Sequence, residues 1–168
     1  AYHTDMVFVG SATAKKGLEM FLDNIPKENQ EDFIQPTSEE KLENPYWLIP
    51  DSKGILMNLL HVYRKSSFCR DVIILTNNST PKAYIDYLKK RNYLVLHSHT
   101  NNTDLKKILP EIKNRFKVET LLTDSGGILN SILLEQNMID EISLLISPNL
   151  IGETTKNLFR SLKTKENT

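Results

Sequence analysis

The sequence has one cysteine, one tryptophan and no excess of either charge in 168 residues. With Cys69 alone, the sequence can form neither an internal disulfide nor a thiolate metal cluster, which suits a reducing cytosol. Lysine plus arginine equals aspartate plus glutamate at 21 each, so no net field attracts nucleic acid or an anionic membrane. No apolar run approaches the roughly 20 residues of a membrane span, and the first residues do not form a signal peptide. We therefore expect a soluble, cytoplasmic protein without nucleic-acid or membrane partners.

A metal site is not expected either. His97 and His99 alternate at strand spacing and would share one face of a strand. Two imidazoles without a nearby third ligand are a weak basis for metal binding, so we predict no metal.

Short apolar runs alternate with helical patterns along the whole chain, which is typical of an α/β fold with a mostly parallel, doubly covered sheet. The length and the 39% hydrophobic content suit a single domain over residues 1–168. The predicted strands are Met6–Val9, Trp47–Ile49, Val72–Leu75, Tyr93–Leu96, Glu119–Leu122 and Ile142–Ile146. One predicted helix starts at Pro81 and ends near Asn92, and another runs from Leu105 to Phe116. Pro110 should kink this second helix or divide it into two segments.

A polar stretch separates the first two predicted strands. Residues 26–45 contain six acidic residues against Lys27 and Lys41, and they lack apolar periodicity. We interpret them as a long acidic surface loop. The loop is either a lid over a site or an insertion without a role.

A double glycine stands between a predicted strand and a helical pattern in Thr120-Leu-Leu-Thr-Asp-Ser-Gly-Gly-Ile-Leu-Asn130. Backbone N–H groups at the start of a helix can face an anion, so Gly126 and Gly127 indicate a phosphate-binding corner with a nucleotide as the natural ligand. The pair also suits an ordinary tight turn that needs permissive dihedral angles. It is neither the three-glycine dinucleotide fingerprint nor the lysine-bearing P-loop.

Five motifs in order carry a family resemblance: Val9-Gly-Ser-Ala-Thr13, Pro50-Asp-Ser-Lys-Gly54, Val72-Ile-Ile-Leu-Thr76, Asp124-Ser-Gly-Gly-Ile-Leu-Asn130, and Ile139 to Pro148 followed by Leu150-Ile-Gly152. The chain resembles the pyrimidine reductase family of riboflavin biosynthesis, which has a dihydrofolate-reductase-like, three-layer αβα fold. The resemblance implies that NADPH delivers a hydride to C1 of a ribosylamino-pyrimidine 5′-phosphate and so produces the ribitylamino form. It implies no metal and no flavin.

The resemblance also implies site residues, although it identifies no catalytic side chain. Substrate contacts fall on Asp51, Ser52 and Asp124. Cofactor contacts fall on Gly10, Ser11, Thr13, Trp47, Thr76, Gly126, Gly127, Ile128 and Leu129. Each has a structural alternative: helix caps for Ser11, Thr13 and Asp124, turn chemistry for Asp51 and Ser52, a polar strand end for Thr76, and a core aromatic for Trp47.

The chain also departs from the family pattern. It starts after the strand and helix that line the nicotinamide pocket in family members, and it stops before their final strands. We therefore expect a reductase-like domain that lacks terminal family elements. A homodimer is implied, with residues 142–150 as its edge. Candidate cations for the substrate phosphate are Lys53, Arg64, Lys65 and Arg70.

Two alternatives to this function stay open. A reductase of a pterin or another small substrate would use the same fold, because fold does not fix substrate. A non-catalytic nucleotide-binding or dimerisation module would lack turnover. The sequence decides neither between NADPH and NADH nor between a deaminated and an amino pyrimidine.

Overall fold

The computed structural model describes residues 3–101, 104–146, 148 and 158–159. The chain divides into two compact units, Ala1–Asp124 and Ser125–Thr168, and each is described by itself. Among the described residues no helix is both long enough and apolar enough to cross a bilayer.

The first unit is built on a five-stranded sheet in which every pairing is parallel and the strand order is β4-β3-β2-β1-β5. The strands are β1 Met6–Phe8, β2 Tyr46–Pro50, β3 Val72–Asn77, β4 Leu94–Ser98 and β5 Leu121–Leu122. The chain adds β2, β3 and β4 on one side of β1 and then returns to place β5 on the other side. This reversal confirms the predicted α/β class, and it creates a switch point between β1 and β5.

Six α-helices lie within the described residues, and a 3₁₀ helix spans Gln30–Phe33. The α-helices are α1 Ser11–Phe21, α2 Glu39–Leu42, α3 Leu60–Lys65, α4 Lys82–Lys90, α5 Leu105–Phe116 and α6 Gly127–Glu135. Pro110 lies inside α5, which is continuous over its 12 residues. The predicted division into two segments is therefore wrong, because the helix tolerates the loss of one backbone hydrogen bond at Pro110 while its apolar face stays buried.

Helices cover both faces of the sheet, as right-handed parallel crossovers require. One face, with Ile49, Val72 and Ile74, packs in a single hydrophobic core with side chains of α1, α3 and α4. Tyr46 points to the other face, where its ring meets Phe116 of α5 at a centroid distance of 5.3 Å. The reversal of strand order after β4 puts α5 on that second face.

The central strand β3 shows why the sequence pattern was informative. All six residues of Val72–Asn77 are buried, because β2 and β4 flank the strand and helices cover both faces. A strand buried on both faces reads as a continuous apolar run, and Val72-Ile-Ile-Leu75 is such a run. The predicted strand is confirmed, and it extends by two polar residues to Asn77.

The predicted strand Ile142–Ile146 is not formed. Residues 141–146 belong to no helix or strand, and Leu145 and Ile146 are 99% and 85% exposed. A strand exists only through hydrogen bonds to a neighbour, and no described residue pairs with this segment. The apolar side chains of Ile142, Leu144, Leu145 and Ile146 are instead exposed.

The acidic region does not form a lid over the carboxyl ends of the strands. It is fastened to the opposite, amino-terminal edge of the sheet. The Glu28 carboxylate accepts three hydrogen bonds from the Arg91 guanidinium group, and the Asn92 side-chain amide donates to the Phe33 carbonyl oxygen at 3.0 Å. Lys41 donates to the carbonyl oxygens of Arg64, in the last turn of α3, and of Ser66 and Cys69, which follow the helix. The lid hypothesis is therefore wrong, because these contacts hold residues 26–45 away from the predicted site.

Candidate active site

The carboxyl edge of the parallel sheet gathers most of the predicted site residues of the first unit. Gly10 follows β1, Asp51 follows β2, Thr76 lies at the end of β3, and Asp124 follows β5. Because β1 and β5 flank the reversal of strand order, Gly10 and Asp124 lie beside the switch point. Ligands of open α/β sheets bind at this position.

The helix after β1 starts without a side-chain cap. Gly10 is the N-cap residue of α1, and its carbonyl oxygen accepts the Ala14 N–H at 2.9 Å. Neither Ser11 nor Thr13 occupies the cap position, so the capping alternative does not apply to them. Thr13 is exposed in the first turn of the helix and Ser11 is half-buried. Both hydroxyls lie in the turn where an anion would meet the backbone N–H groups.

The Asp51 carboxylate organises the turn that follows β2. Its two oxygen atoms accept the backbone N–H groups of Ile55 and Leu56, each at 3.0 Å, and the residue is 1% exposed. The structure therefore shows the alternative role of Asp51, which is to stabilise the turn. A contact between Asp51 and the substrate stays a prediction. Ser52 is half-buried and Lys53 exposed on the same turn.

Gly54 closes this turn in the left-handed region, with φ of +70°. A Cβ atom at this position would lie 2.8 Å from Cγ of Tyr84. In the sequence, Gly54 stands out only as the last residue of the Pro50-Asp-Ser-Lys-Gly54 motif. The Asp-Ser-Lys-Gly spacing was the available signal, because glycine is favoured where a turn requires positive φ.

At the ends of β3 and β4, side chains bond mainly to one another. The Thr76 hydroxyl is buried and lies 3.0 Å from Nδ1 of His97. The Asn77 side chain accepts the Ser79 N–H at 2.9 Å and donates to the Asn101 carbonyl oxygen at 2.7 Å. These contacts fix the loop after β3. Asn78 and Ser79 are exposed on this loop, whereas Thr76 is buried.

Trp47 lies away from the carboxyl edge. It is the second residue of β2, four residues before Asp51, which corresponds to about 13 Å along a strand. Its ring packs against Tyr63 at 4.8 Å and Phe68 at 5.6 Å between centroids. These are the surroundings of a core aromatic, and a cofactor contact of Trp47 stays a prediction.

Three of the four candidate cations for a substrate phosphate lie at the amino-terminal edge. Arg64 is 3% exposed and donates to both carboxylate oxygens of Asp71 at 2.9 and 3.1 Å. Lys65 pairs with Asp32 at 2.8 Å, and the Arg70 guanidinium group lies over the Tyr46 ring. These three assignments are therefore wrong, since the side chains hold the fold together at the far end of the strands. Lys53 alone remains at the carboxyl edge.

The second unit contains the double glycine. Gly126 is the N-cap of α6 with φ of −75°, and Gly127 is the first residue of the helix. Neither glycine has a positive φ, so the dihedral angles do not require this pair. The Asn130 side chain, for which the sequence predicts no role, donates to the carbonyl oxygens of Ser125 and Leu158 at 3.3 and 3.2 Å.

The remaining predicted contacts lie at the two ends of the same motif. Asp124 is exposed after β5, and the cap position of α6 belongs to Gly126 rather than to Asp124. In the first turn of α6, Ile128 is exposed and Leu129 is buried. Within the described residues no group of three or more possible metal ligands occurs, and the rings of His97 and His99 lie edge to face with centroids 5.2 Å apart.

The fold defines the class: an open α/β domain whose sheet is parallel in every pairing. The model of the RibD C-terminal domain family matches residues 1–167. The chain therefore belongs to this family, the pyrimidine reductase domain of riboflavin biosynthesis. No curated protein matches the chain.

Solved structures show the same fold at low sequence identity. A pyrimidine reductase-like protein from Corynebacterium diphtheriae is 18% identical with a TM-score of 0.62, over 98% of this chain and 66% of that chain. The structure of Acinetobacter baumannii RibD, form 2, is 17% identical in sequence with a TM-score of 0.60, and the match covers 94% of this chain and 39% of the RibD chain. The chain thus spans just under two thirds of the first relative and about two fifths of the second.

Proposed function

We propose that this chain is an NADPH-dependent reductase that converts a ribosylamino-pyrimidine 5′-phosphate to its ribitylamino form in riboflavin biosynthesis. The observation that carries the proposal is the family match over residues 1–167. Bound NADPH supplies the hydride for C1 of the sugar. The tasks of the chain are to bind both molecules, to orient them and to exclude water, since the redox chemistry belongs to the cofactor.

The proposed cofactor contacts are the two helix starts that glycine caps. Gly126, Gly127, Ile128 and Leu129 would face the pyrophosphate, and Gly10, Ser11 and Thr13 would contact a phosphate or the nicotinamide amide group. The dihedral angles support this reading. Because Gly126 and Gly127 both adopt ordinary negative φ, the absence of a side chain is what glycine provides, and that leaves room for a ligand at the N–H groups. Thr76 and Trp47 complete the proposed set.

The proposed substrate contacts are Asp51, Ser52 and Asp124. Asp124 is exposed beside the switch point and can accept hydrogen bonds from ribose hydroxyls or a pyrimidine amino group. Lys53 is the cation suited to the 5′-phosphate, because it is exposed on the turn that Asp51 organises. A carboxylate beside a phosphate would repel it, so the phosphate belongs near Lys53 rather than Asp124.

Calorimetric titration with NADPH and NADH tests cofactor binding. Aspartate is a favoured N-cap residue, so Gly126→Asp should keep α6 folded while placing a negative charge where the pyrophosphate would lie. We expect micromolar NADPH binding by the parent chain, its loss in Gly126→Asp, and its retention in Asn114→Asp, which adds the same charge on the exposed surface of α5. Equal NADPH affinity in all three proteins would contradict a pyrophosphate contact at the start of α6.

We also propose a homodimer through the exposed apolar edge near residues 142–150, of which 147, 149 and 150 lie outside the described residues. Ile142, Leu144, Leu145 and Ile146 are exposed in succession, and such a patch marks an association surface. Sedimentation equilibrium should show a dimer that Leu145→Asp converts to monomer. A monomeric parent chain at micromolar concentration would contradict this. The buried single cysteine suits the cytoplasm as the compartment.

A further inference from the structure

The His97 side chain connects β4 to the loop that follows β3. In the parallel pairing of the two strands, His97 lies opposite Thr76, which is one of the proposed cofactor contacts. Nδ1 of the ring lies 3.0 Å from the Thr76 hydroxyl, and Nε2 lies 3.2 Å from Oδ1 of Asn78. One imidazole therefore holds a residue on each side of Asn77, where β3 ends.

The Asn78 amide determines which ring nitrogen of His97 carries a hydrogen. Its nitrogen, Nδ2, donates to the His99 carbonyl oxygen at 2.7 Å, and a carbonyl oxygen can only accept. The amide oxygen of Asn78 is therefore the atom that faces His97, so Nε2 of the ring donates to it. In the neutral ring Nδ1 then accepts from the Thr76 hydroxyl, whereas the Leu96 carbonyl oxygen lies farther from that hydroxyl, at 3.4 Å.

The same bonds decide what a ligand would meet at this end of the sheet. Thr76 is buried and its hydroxyl bonds to His97, whereas Asn78 is exposed. The backbone bond from the Asn78 N–H to the Thr100 carbonyl oxygen is long, at 3.4 Å. The position of Asn78 therefore depends on its side chain, which the His97 ring and the His99 carbonyl oxygen hold from two sides.

We propose that His97 is a positioning residue that orients Asn78 at the carboxyl edge, and with it the loop surface that the cofactor contacts. The imidazole acts through both of its nitrogens, because Nε2 donates to Asn78 while Nδ1 bonds to Thr76. His99 contributes its backbone carbonyl oxygen to this arrangement. The effect on Asn78 stands by itself, whereas the effect on cofactor binding rests on the proposed function.

The first experiment is independent of activity. Hydrogen exchange of the Asn78 side-chain amide, measured by NMR, reports its orientation, because that amide donates to the His99 carbonyl oxygen. His97→Ala removes both ring nitrogens, and we expect the exchange to become about fivefold faster. His97→Gln keeps an N–H donor for Asn78 and should stay within about twofold of the parent chain. His99→Ala is the matched control, since it removes the neighbouring ring and leaves the backbone carbonyl oxygen. Unchanged exchange in His97→Ala, or an equal rise in either of the other variants, would overturn the positioning role.

The second experiment tests the consequence for the cofactor by calorimetry. The Kd for NADPH should rise about fivefold in His97→Ala and stay close to the parent value in His97→Gln and His99→Ala. The KM for the pyrimidine in the active enzyme and the unfolding temperature should stay near those of the parent chain, because His97 is exposed and far from general packing. A parent-like Kd in His97→Ala, with exchange raised as expected, would refute the effect on the cofactor. If the parent chain binds no NADPH, the proposed function fails while the exchange result still decides the role of His97.

Discussion

Replacing Arg64 by methionine should destabilise the first unit without a specific loss of substrate affinity. In the folded chain Arg64 bonds to both oxygen atoms of Asp71 and donates to the backbone carbonyl oxygens of Asp32, Arg91 and Asn92. Both members of the ion pair are at most 5% exposed. The substitution would leave a buried carboxylate without its cation and three carbonyl oxygens without this donor.

The expected cost follows from that geometry. Breaking a buried ion pair by removing one partner costs about 3–5 kcal/mol. A typical domain has about 5–15 kcal/mol of stability, so the loss would be a large fraction of the total. Urea unfolding followed by fluorescence of Trp47, the single tryptophan, measures the first unit directly because Trp47 is partly buried and packs against its core.

The pH dependence supplies an internal check. Burial raises the pKa of Asp71, while Arg64 opposes that rise. Without Arg64 the folded-state pKa of Asp71 should rise further. The loss in free energy of unfolding caused by Arg64→Met should therefore be largest at pH 8, and it should shrink as acid protonates the carboxylate. The double variant Arg64→Met/Asp71→Asn should recover part of the loss at pH 8. A stable Arg64→Met variant, within about 0.5 kcal/mol of the parent, with a specifically raised substrate KM would refute this reasoning.

Three further predictions concern single residues. In urea titrations Gly54→Ala should lower the free energy of unfolding by about 2–4 kcal/mol, because the residue has a positive φ and its new Cβ atom would press on Tyr84. Gly17→Ala, where a Cβ atom meets only ordinary contacts, should lower it much less. Hydrogen bonds from Thr120 and Glu119 lower the pKa of Asp5, so its stabilisation is complete above its ordinary value of 3.8 and disappears as pH falls through the folded value. The unfolding temperature of Asp5→Asn should therefore be lower than that of the parent chain at pH 7, and the two temperatures should be the same near pH 2. Burial raises the pKa of the Cys69 thiol to about 12, so iodoacetamide should leave it unmodified at pH 8 until the chain is unfolded, and fast native labelling would contradict this.

The fold class was predictable because its strongest signals are local. The run Val72-Ile-Ile-Leu75 predicts a strand buried on both faces, and β3 is such a strand. The helix after Pro81 was predictable from proline at its start and from the shared face of Tyr84, Tyr87 and Leu88. These features depend on periods of a few residues, which a sequence displays directly.

The rest depends on contacts between distant residues. The pairing of Glu28 with Arg91 spans 63 positions and fastens the acidic region to the amino-terminal edge, which no local pattern indicates. Arg64 and Lys65 looked like candidates for a phosphate because the sequence does not show which edge of the sheet they face. The apolar pattern of residues 142–146 was read as a strand, yet strand formation requires a pairing partner that periodicity cannot supply.

The candidate site was predictable in part. The double glycine located the start of α6, because a helical pattern follows it directly. For α1 the sequence offered Ser11 or Thr13 as the cap, whereas Gly10 holds that position. The packing of Tyr84 against Gly54 was not predictable, because it joins residues 30 positions apart that no local pattern connects.

Transfer of label from deuterated cofactor tests the central claim most directly. NADPH carrying deuterium at the transferred position of C4 would be incubated with the chain and a ribosylamino-pyrimidine 5′-phosphate, and the product analysed by mass spectrometry and NMR. The account predicts a ribitylamino product with one deuterium at C1 of the side chain, and none with Gly126→Asp. A folded chain that binds NADPH and both amino and deaminated substrates but yields no labelled product would contradict it.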